Sequence, residues 1–301
     1  MASYERFYKP DVLARIGRLE LRAKMVVEGI IAGMHRSPYH GQSVEFVDHR
    51  AYVQGDDLRH LDWKVYGRAD RLVLKRFEEE TSLRGHIVLD CSESMRYGQG
   101  AMSKFEYGGT LAASIAYLLQ RQHDSVGLTL FDSEVRATVP LSTHQITLRR
   151  IGEAMASAEA TRKTQVGDVW FRLASTIPRR GLVTIISDLF APLEEIHAGL
   201  QAFTLHGHDV IVFQVLDETE LTFPFEGNTL FDGLEGYPEI LVDPRTLRDA
   251  YLEVFERYLA EVEKTCATLG IDYRRCHTGE VLDAAIVSVL AARVRAGRRR
   301  F

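Results

Sequence analysis

Residues 85–94 read GHIVLDCSES, and the fold turns on this stretch. Ile87, Val88 and Leu89 are consecutive apolar residues with no polar alternation, the pattern of a buried strand. Asp90 ends the run, and Ser92 and Ser94 follow at alternate positions. Toward the C-terminus the pattern repeats. The strand-like runs VGLTLF (126–131), LVTIIS (182–187), DVIVFQVL (209–216) and IDYRRC (271–276) alternate with helix-like segments beginning at Lys104, Gln145, Gly167, Pro192, Thr246 and Gly279. Such alternation predicts an α/β fold: a doubly wound, mostly parallel sheet flanked by helices. VRATVPL (135–141) predicts an additional strand, antiparallel at an edge. The segment 218–244, with Pro, Gly, aromatic residues and the strand-like EILVD, breaks the alternation and predicts an inserted hairpin.

Toward the N-terminus the pattern differs. Val12, Leu13, Ile16, Leu19, Leu21, Val26, Val27, Ile30 and Ile31 recur at helical spacing and predict one amphipathic helix between Pro10 and about Met34. Residues 36–80, rich in Gly and Asp between short apolar runs, predict short strands and loops. The expected organisation is therefore a small α+β appendage over 1–80 and the α/β domain over 81–301.

With 46% hydrophobic and 26% charged residues, the composition is that of a globular domain with a full core. A net charge of −5 argues against a dedicated nucleic-acid binder, which needs a concentrated basic face, and leaves room only for a local basic patch. Cys91, Cys266 and Cys276 form no CxxC pair, so neither a disulfide framework nor a cysteine zinc site is expected, and a reducing compartment fits best. The N-terminus lacks the pattern of a signal peptide. No apolar run reaches the roughly 20 residues needed to span a bilayer. The expectation is a cytoplasmic protein with no integral membrane segment.

In a doubly wound sheet, ligands bind beyond the carboxyl ends of the strands, where connections diverge. Asp90, Ser92 and Ser94 stand at such an end and offer oxygen donors only. Asp188 ends another apolar strand, where its charge faces a dry core without compensation. Thr164, three residues before the helix-opening Gly167, is the fifth donor, with Thr161 as its rival. Hydroxyls with few carboxylates suit a hydrated hard cation such as magnesium. The alternative is that Asp90 and the serines only cap the following helix.

These five residues resemble the metal-ion-dependent adhesion site of von Willebrand factor A domains. The resemblance implies that Ser92, Ser94 and Thr164 coordinate magnesium or manganese. It also implies that Asp90 and Asp188 act largely through waters and that a partner's carboxylate completes the shell, giving binding rather than catalysis. The preceding stretch VEFVDHRAYVQGDDLRHLDWKVYGRADRLVLKRFEEE, with Arg50, Tyr52, Gly55, Asp56, Asp57, Arg59, Asp62, Trp63, Lys64 and Arg68 in order, resembles the signature of a bacterial family catalogued as domain of unknown function number fifty-eight. Membership implies a von Willebrand factor A-like domain and a MoxR-type AAA+ ATPase, or its client, as partner. The implied role is chaperone-like maturation or metal-cofactor insertion.

The acids Asp56, Asp57 and Asp62 near Arg59 and His60 read as a structural ion-pair cluster. The scattered histidines, without HxH or HExxH spacing, read as surface or capping residues. The arginines of RVRAGRRRF complement a helix C-terminus. The rival to a binding module is a magnesium-dependent phosphohydrolase using Asp90 or Glu93. Phosphatases of the haloacid-dehalogenase type carry an acid two residues after their aspartate. Here that position is Ser92, and the sequence places no lysine at the site, so no enzyme is expected.

Overall fold

In the computed structural model, which describes residues 7–9, 44–53, 61–79, 83–158, 166–177, 180–231 and 240–289, strands β1 (Val44–Ala51) and β2 (Val73–Glu79) pair antiparallel. They belong to one compact unit, residues 31–82; residues 1–30 and 83–301 form the other. Between the two strands lies α1 (Trp63–Ala69), a helix within the stretch read as strands and loops. At seven residues it is too short to display a period. Its start is nonetheless chemically marked: Asp62 Oδ1 accepts from the backbone N–H groups of Lys64 at 2.9 Å and Val65 at 3.2 Å, so this acid is an N-cap. Asp56, Asp57, Arg59 and His60 lie outside the described residues, as does the predicted helix between Pro10 and Met34.

In the larger unit the chain runs β3 (Arg84–Asp90), α2 (Lys104–Arg121), β4 (Ser125–Phe131), β5 (Val135–Ser142), α3 (Ile146–Ala156), α4 (Val166–Thr176), β6 (Leu182–Ser187), α5 (Leu193–Leu205), β7 (Asp209–Leu216), α6 (Glu218–Thr222), β8 (Thr229–Phe231), β9 (Ile240–Val242), α7 (Pro244–Thr268) and β10 (Asp272–His277). A last described helix, α8, covers 282–289. Six strands form the sheet in the order β10-β7-β6-β3-β4-β5, all parallel except the edge strand β5, which runs antiparallel to β4. This is the doubly wound, mostly parallel class that the alternation predicts.

Two cores explain the unbroken apolar runs. Ile87 and Leu89 of β3 pack with Phe105 and Leu111 of α2, Ile151 and Met155 of α3, and Ile286 of α8. Val88, pointing the opposite way because strand side chains alternate, packs with Trp170 of α4, Leu200 and Phe203 of α5, and Val262 of α7. A strand covered on both faces has no solvent side on which to place polar residues. Edge strand β5 is largely open and carries the mixed composition of VRATVPL.

The 218–244 insertion contains the expected hairpin, with β8 and β9 paired antiparallel. It begins with the unexpected helix α6, nucleated by a reciprocal cap: Asp217 accepts from Thr219 N at 3.0 Å, and its own N–H donates to Glu220 at 2.7 Å. Among the described residues no helix is long and apolar enough to cross a membrane.

Trp170 is fully buried between Phe131 and Phe203, with ring centres at 6.0 and 6.3 Å, and its indole N–H has no partner among the described residues. Trp170→Ala should therefore cost about 3–5 kcal/mol. Trp170→Phe, which removes the orphaned donor and keeps a ring, should cost clearly less. Urea unfolding of both variants checks this, and equal losses would show that the indole is not the keystone of this core.

Candidate metal centre

The chain leaves β3 toward β4 on one side, whereas β6 lies on the other. The crevice of a doubly wound sheet opens where neighbouring connections diverge in this way. Asp90 is the last residue of β3 and Asp188 immediately follows β6. Asp90 Oδ1 accepts from Ser92 N at 2.9 Å, and its Oδ2 accepts from the Ser187 hydroxyl at 2.6 Å. Ser92 Oγ and Ser94 Oγ lie 3.1 Å apart, with Ser94 opening a 3-10 turn over Ser94–Arg96. Asp188 Oδ1 accepts from Phe190 N at 3.1 Å. Asp90, Ser92, Ser94 and Asp188 are all buried.

The loop after β6 is held from three sides. Leu189 N donates to Ser187 Oγ at 2.9 Å. Gln214 Nε2 donates to Asp188 O at 2.9 Å, while its Oε1 accepts from Tyr273 at 2.6 Å. The Tyr258 hydroxyl meets the carbonyls of Leu189 and, at 2.9 Å, Ala191. This support matters because Leu189 takes a left-handed φ of 59°, which costs free energy for a branched side chain.

The charge of this crevice is unusual. Burial, and after it the negative charge of Asp188, pushes the Asp90 carboxyl up to about 7, against opposing hydrogen bonds from Ser187 and Ser92. Beside Asp188 lies the Lys104 ammonium, 2.9 Å from Asp188 Oδ2 and 2.7 Å from Glu220 Oε1. It also stands 4.5 Å from the Phe190 ring centre, a cation–π contact. Burial alone pulls this ammonium down, but Asp188 and Glu220 more than offset it, so Lys104 stays charged. A lysine at the first position of α2 sits against the positive end of the helix dipole, and the two carboxylates supply the compensation.

The donor set fits a hard cation. Its oxygens come from two carboxylates and two hydroxyls, and Asp90 carries a charge that its neighbours do not balance. Asp188 already accepts from Lys104 and Phe190, one on each oxygen. Among the described residues no group of three or more His, Cys, Asp or Glu is gathered to hold a metal.

A cleft of about 730 Å³ opens beside this site, walled by Ser94, Tyr97, Lys104, Phe190, Glu220 and the insertion. Tyr251, Phe255 and Tyr258 of α7, spaced i, i+4 and i+7, share one helical stripe, and Tyr251 lines the cleft. Phe255 meets Phe190 at 5.9 Å, and Tyr251 meets Phe223 at 4.6 Å. The Tyr97 and Thr219 hydroxyls share a hydrogen bond of 2.8 Å.

Four of the five predicted donors thus meet at one crevice, while Thr164 lies outside the described residues, as does its rival Thr161. One expectation needs correction: a lysine does stand at the site. Lys104 directly follows the N-cap Ser103, and a basic residue in a first helical turn was the signal available. Ser187, Glu220 and Tyr258 carried no sequence signal, because only the tertiary fold brings them there. Cys91 is buried, its thiol donating to Phe131 O at 3.2 Å. Of the histidines, His206 caps α5, but His86 is buried in the sheet against Thr129 at 2.8 Å rather than at the surface.

The family model described as Protein of unknown function DUF58 matches residues 48–260. Uncharacterized proteins of Mycobacterium tuberculosis and Mycobacterium bovis are each 27% identical over 291 residues, covering 95% of this chain and 91% of theirs. Among solved structures, an aerotolerance-related membrane protein of Bacteroides fragilis is 18% identical with a TM-score of 0.48, covering 71% of this chain and 100% of its own. The BatB protein of Bacteroides thetaiotaomicron is 17% identical, with the same TM-score of 0.48 and the same coverage, 71% and 100%.

Because the Asp90 proton is held more tightly folded than unfolded, its contribution to stability is full below about pH 4 and is lost as pH rises through about 7. Urea unfolding in chelator should show wild type losing stability across this window relative to Asp90→Asn, whose uncharged amide does not titrate. Parallel pH profiles for the two proteins would contradict the assignment.

Proposed function

We propose that this protein, which belongs to the family of proteins of unknown function DUF58, is a metal-dependent protein–protein interaction module. A magnesium or manganese ion held by Ser92, Ser94 and Thr164, with Asp90 and Asp188 acting through waters, offers one coordination position to a carboxylate on a partner. The observation that carries this reading is the buried Asp90 carboxyl beside Asp188, with two serine hydroxyls 3.1 Å apart next to it. A divalent cation supplies the missing positive charge, and hydroxyl ligands leave it strongly electrophilic toward an incoming acid.

Cys91, beside Asp90, is not an activated nucleophile. Burial pushes the Cys91 thiol up to about 12, far from the thiolate that attacks substrates. From the resemblance, the partner is a MoxR-type AAA+ ATPase or its client, and the role is chaperone-like maturation. The action is cytoplasmic on this reading, and the three buried free cysteines suit a reducing compartment.

One observation favours a magnesium-dependent phosphohydrolase instead: the buried Lys104 beside the candidate metal. Its ammonium contacts Asp188 and Glu220, however, whereas a phosphate-transfer site needs it beside the nucleophile, and Ser92 offers no acid for the leaving group.

Calorimetric titration of magnesium into wild type and Asp90→Ala, both verified as folded by circular dichroism, separates the readings. Binding in wild type, weakened about tenfold or more in the variant, is the expected result. Equal affinities would overturn the site assignment. Magnesium-dependent hydrolysis of generic phosphate esters, lost in Asp90→Ala, would move the protein to the phosphohydrolase class.

A further inference from the structure

We propose that the aromatic cleft beside the metal loop is the specificity pocket of this site, built to take a bulky apolar or aromatic side chain that lies within two positions of the partner's metal-binding acid. This rests on the interaction-module reading and adds what the partner segment looks like: an acidic residue with an aromatic neighbour, presented in extended form.

Four observations carry it. Ser94 belongs both to the candidate metal group and to the wall of the cleft, so the two sites are contiguous. Residues one or two positions apart on an extended segment are separated by roughly 4–7 Å, a reach that spans neighbouring subsites. Second, the pocket is aromatic. Phe223 stacks on Phe231 at 5.7 Å and meets Tyr251 in a tilted contact at 4.6 Å, and Phe225 meets Phe231 edge-on at 5.2 Å. Third, its volume of about 730 Å³ admits a large side chain with its backbone.

Fourth, the charges of the lining are already matched. Lys104 and Glu220 are its charged residues, and they pair with each other at 2.7 Å. A cation or anion entering would be stripped of water and find no unpaired counter-charge, whereas a neutral ring gains by burial. The partner's negative charge accordingly belongs at the metal and its apolar surface in the cleft. The rim agrees in character: Leu230 and Leu241, directly paired across β8 and β9, are 56% and 67% exposed. The described part of the insertion from Thr219 to Phe231, which supplies no strand of the main sheet, acquires a role as the wall that selects the partner.

The test uses the full chain and three dye-labelled peptides identical except at one position two residues from a single Asp, which holds Trp, Ala or Lys. Fluorescence anisotropy is read in magnesium and in EDTA for wild type, Asp90→Ala, Phe225→Ala and Phe231→Ala, each checked for folding. The expected result is magnesium-dependent binding in which the Trp peptide is favoured over the Ala peptide by about tenfold or more. That ratio should collapse toward one in whichever of the two Phe variants folds. Equal affinity for the Trp and Ala peptides overturns the pocket, as do preference for Lys, an unchanged ratio in both Phe variants, or binding of no peptide. Trp-selective binding that ignores magnesium and Asp90 but is lost in the Phe variants supports the pocket and removes the metal reading, so the two ideas fail separately.

Discussion

The Lys104 ammonium, buried between Asp188 and Glu220, ties together three parts of the chain that meet at the crevice: the start of α2, the end of β6 and the first turn of α6. Removing one partner of such a buried pair typically costs about 3–5 kcal/mol, because the remaining charges lose both water and counter-ion. The position of the insertion relative to the Asp90–Ser94 loop therefore depends on this side chain together with the Tyr97–Thr219 hydrogen bond beside it. The same ammonium answers part of the negative charge collected at the strand ends. It contacts Asp188 and leaves Asp90 uncompensated, and that imbalance makes a second, exchangeable cation chemically sensible.

The crevice is held in a costly conformation by well-placed support. Leu189 in the left-handed region and a carboxyl without counter-charge both disfavour the folded state. Ser187, Gln214 and Tyr258 hold backbone groups between Asp188 and Ala191 from the sheet and from α7, and Tyr273 fixes the Gln214 amide. Rigid placement of this kind is what a binding site needs, since ordering costs already met in folding are not charged to association.

The sheet was legible in the sequence because burial on both faces removes polar alternation from β3, β4, β6 and β7, leaving runs such as LVTIIS that admit few other readings. The exposed edge strand β5 and the hairpin of the insertion were legible from their mixed composition and turn residues. The short helices α1 and α6 were not, since seven and five residues are too few to express a helical period, although Asp62 and Asp217 mark their starts. At the site, Asp90, Ser92, Ser94 and Asp188 could be read from strand ends. Ser187 and Glu220 could not, because their roles depend on which strand ends become neighbours: the order β6-β3-β4 is a tertiary fact.

An oxygen-lined crevice whose buried aspartate lacks a counter-charge, next to an aspartate already held by a lysine, makes a specific demand on any ion that binds. The most direct measurement is anomalous scattering from crystals grown with manganese. The account predicts one peak within bonding distance of the Ser92 and Ser94 hydroxyls, with waters between the ion and both aspartates and Lys104 still on Asp188. A peak elsewhere, or none at a manganese concentration that saturates binding in solution, would contradict it.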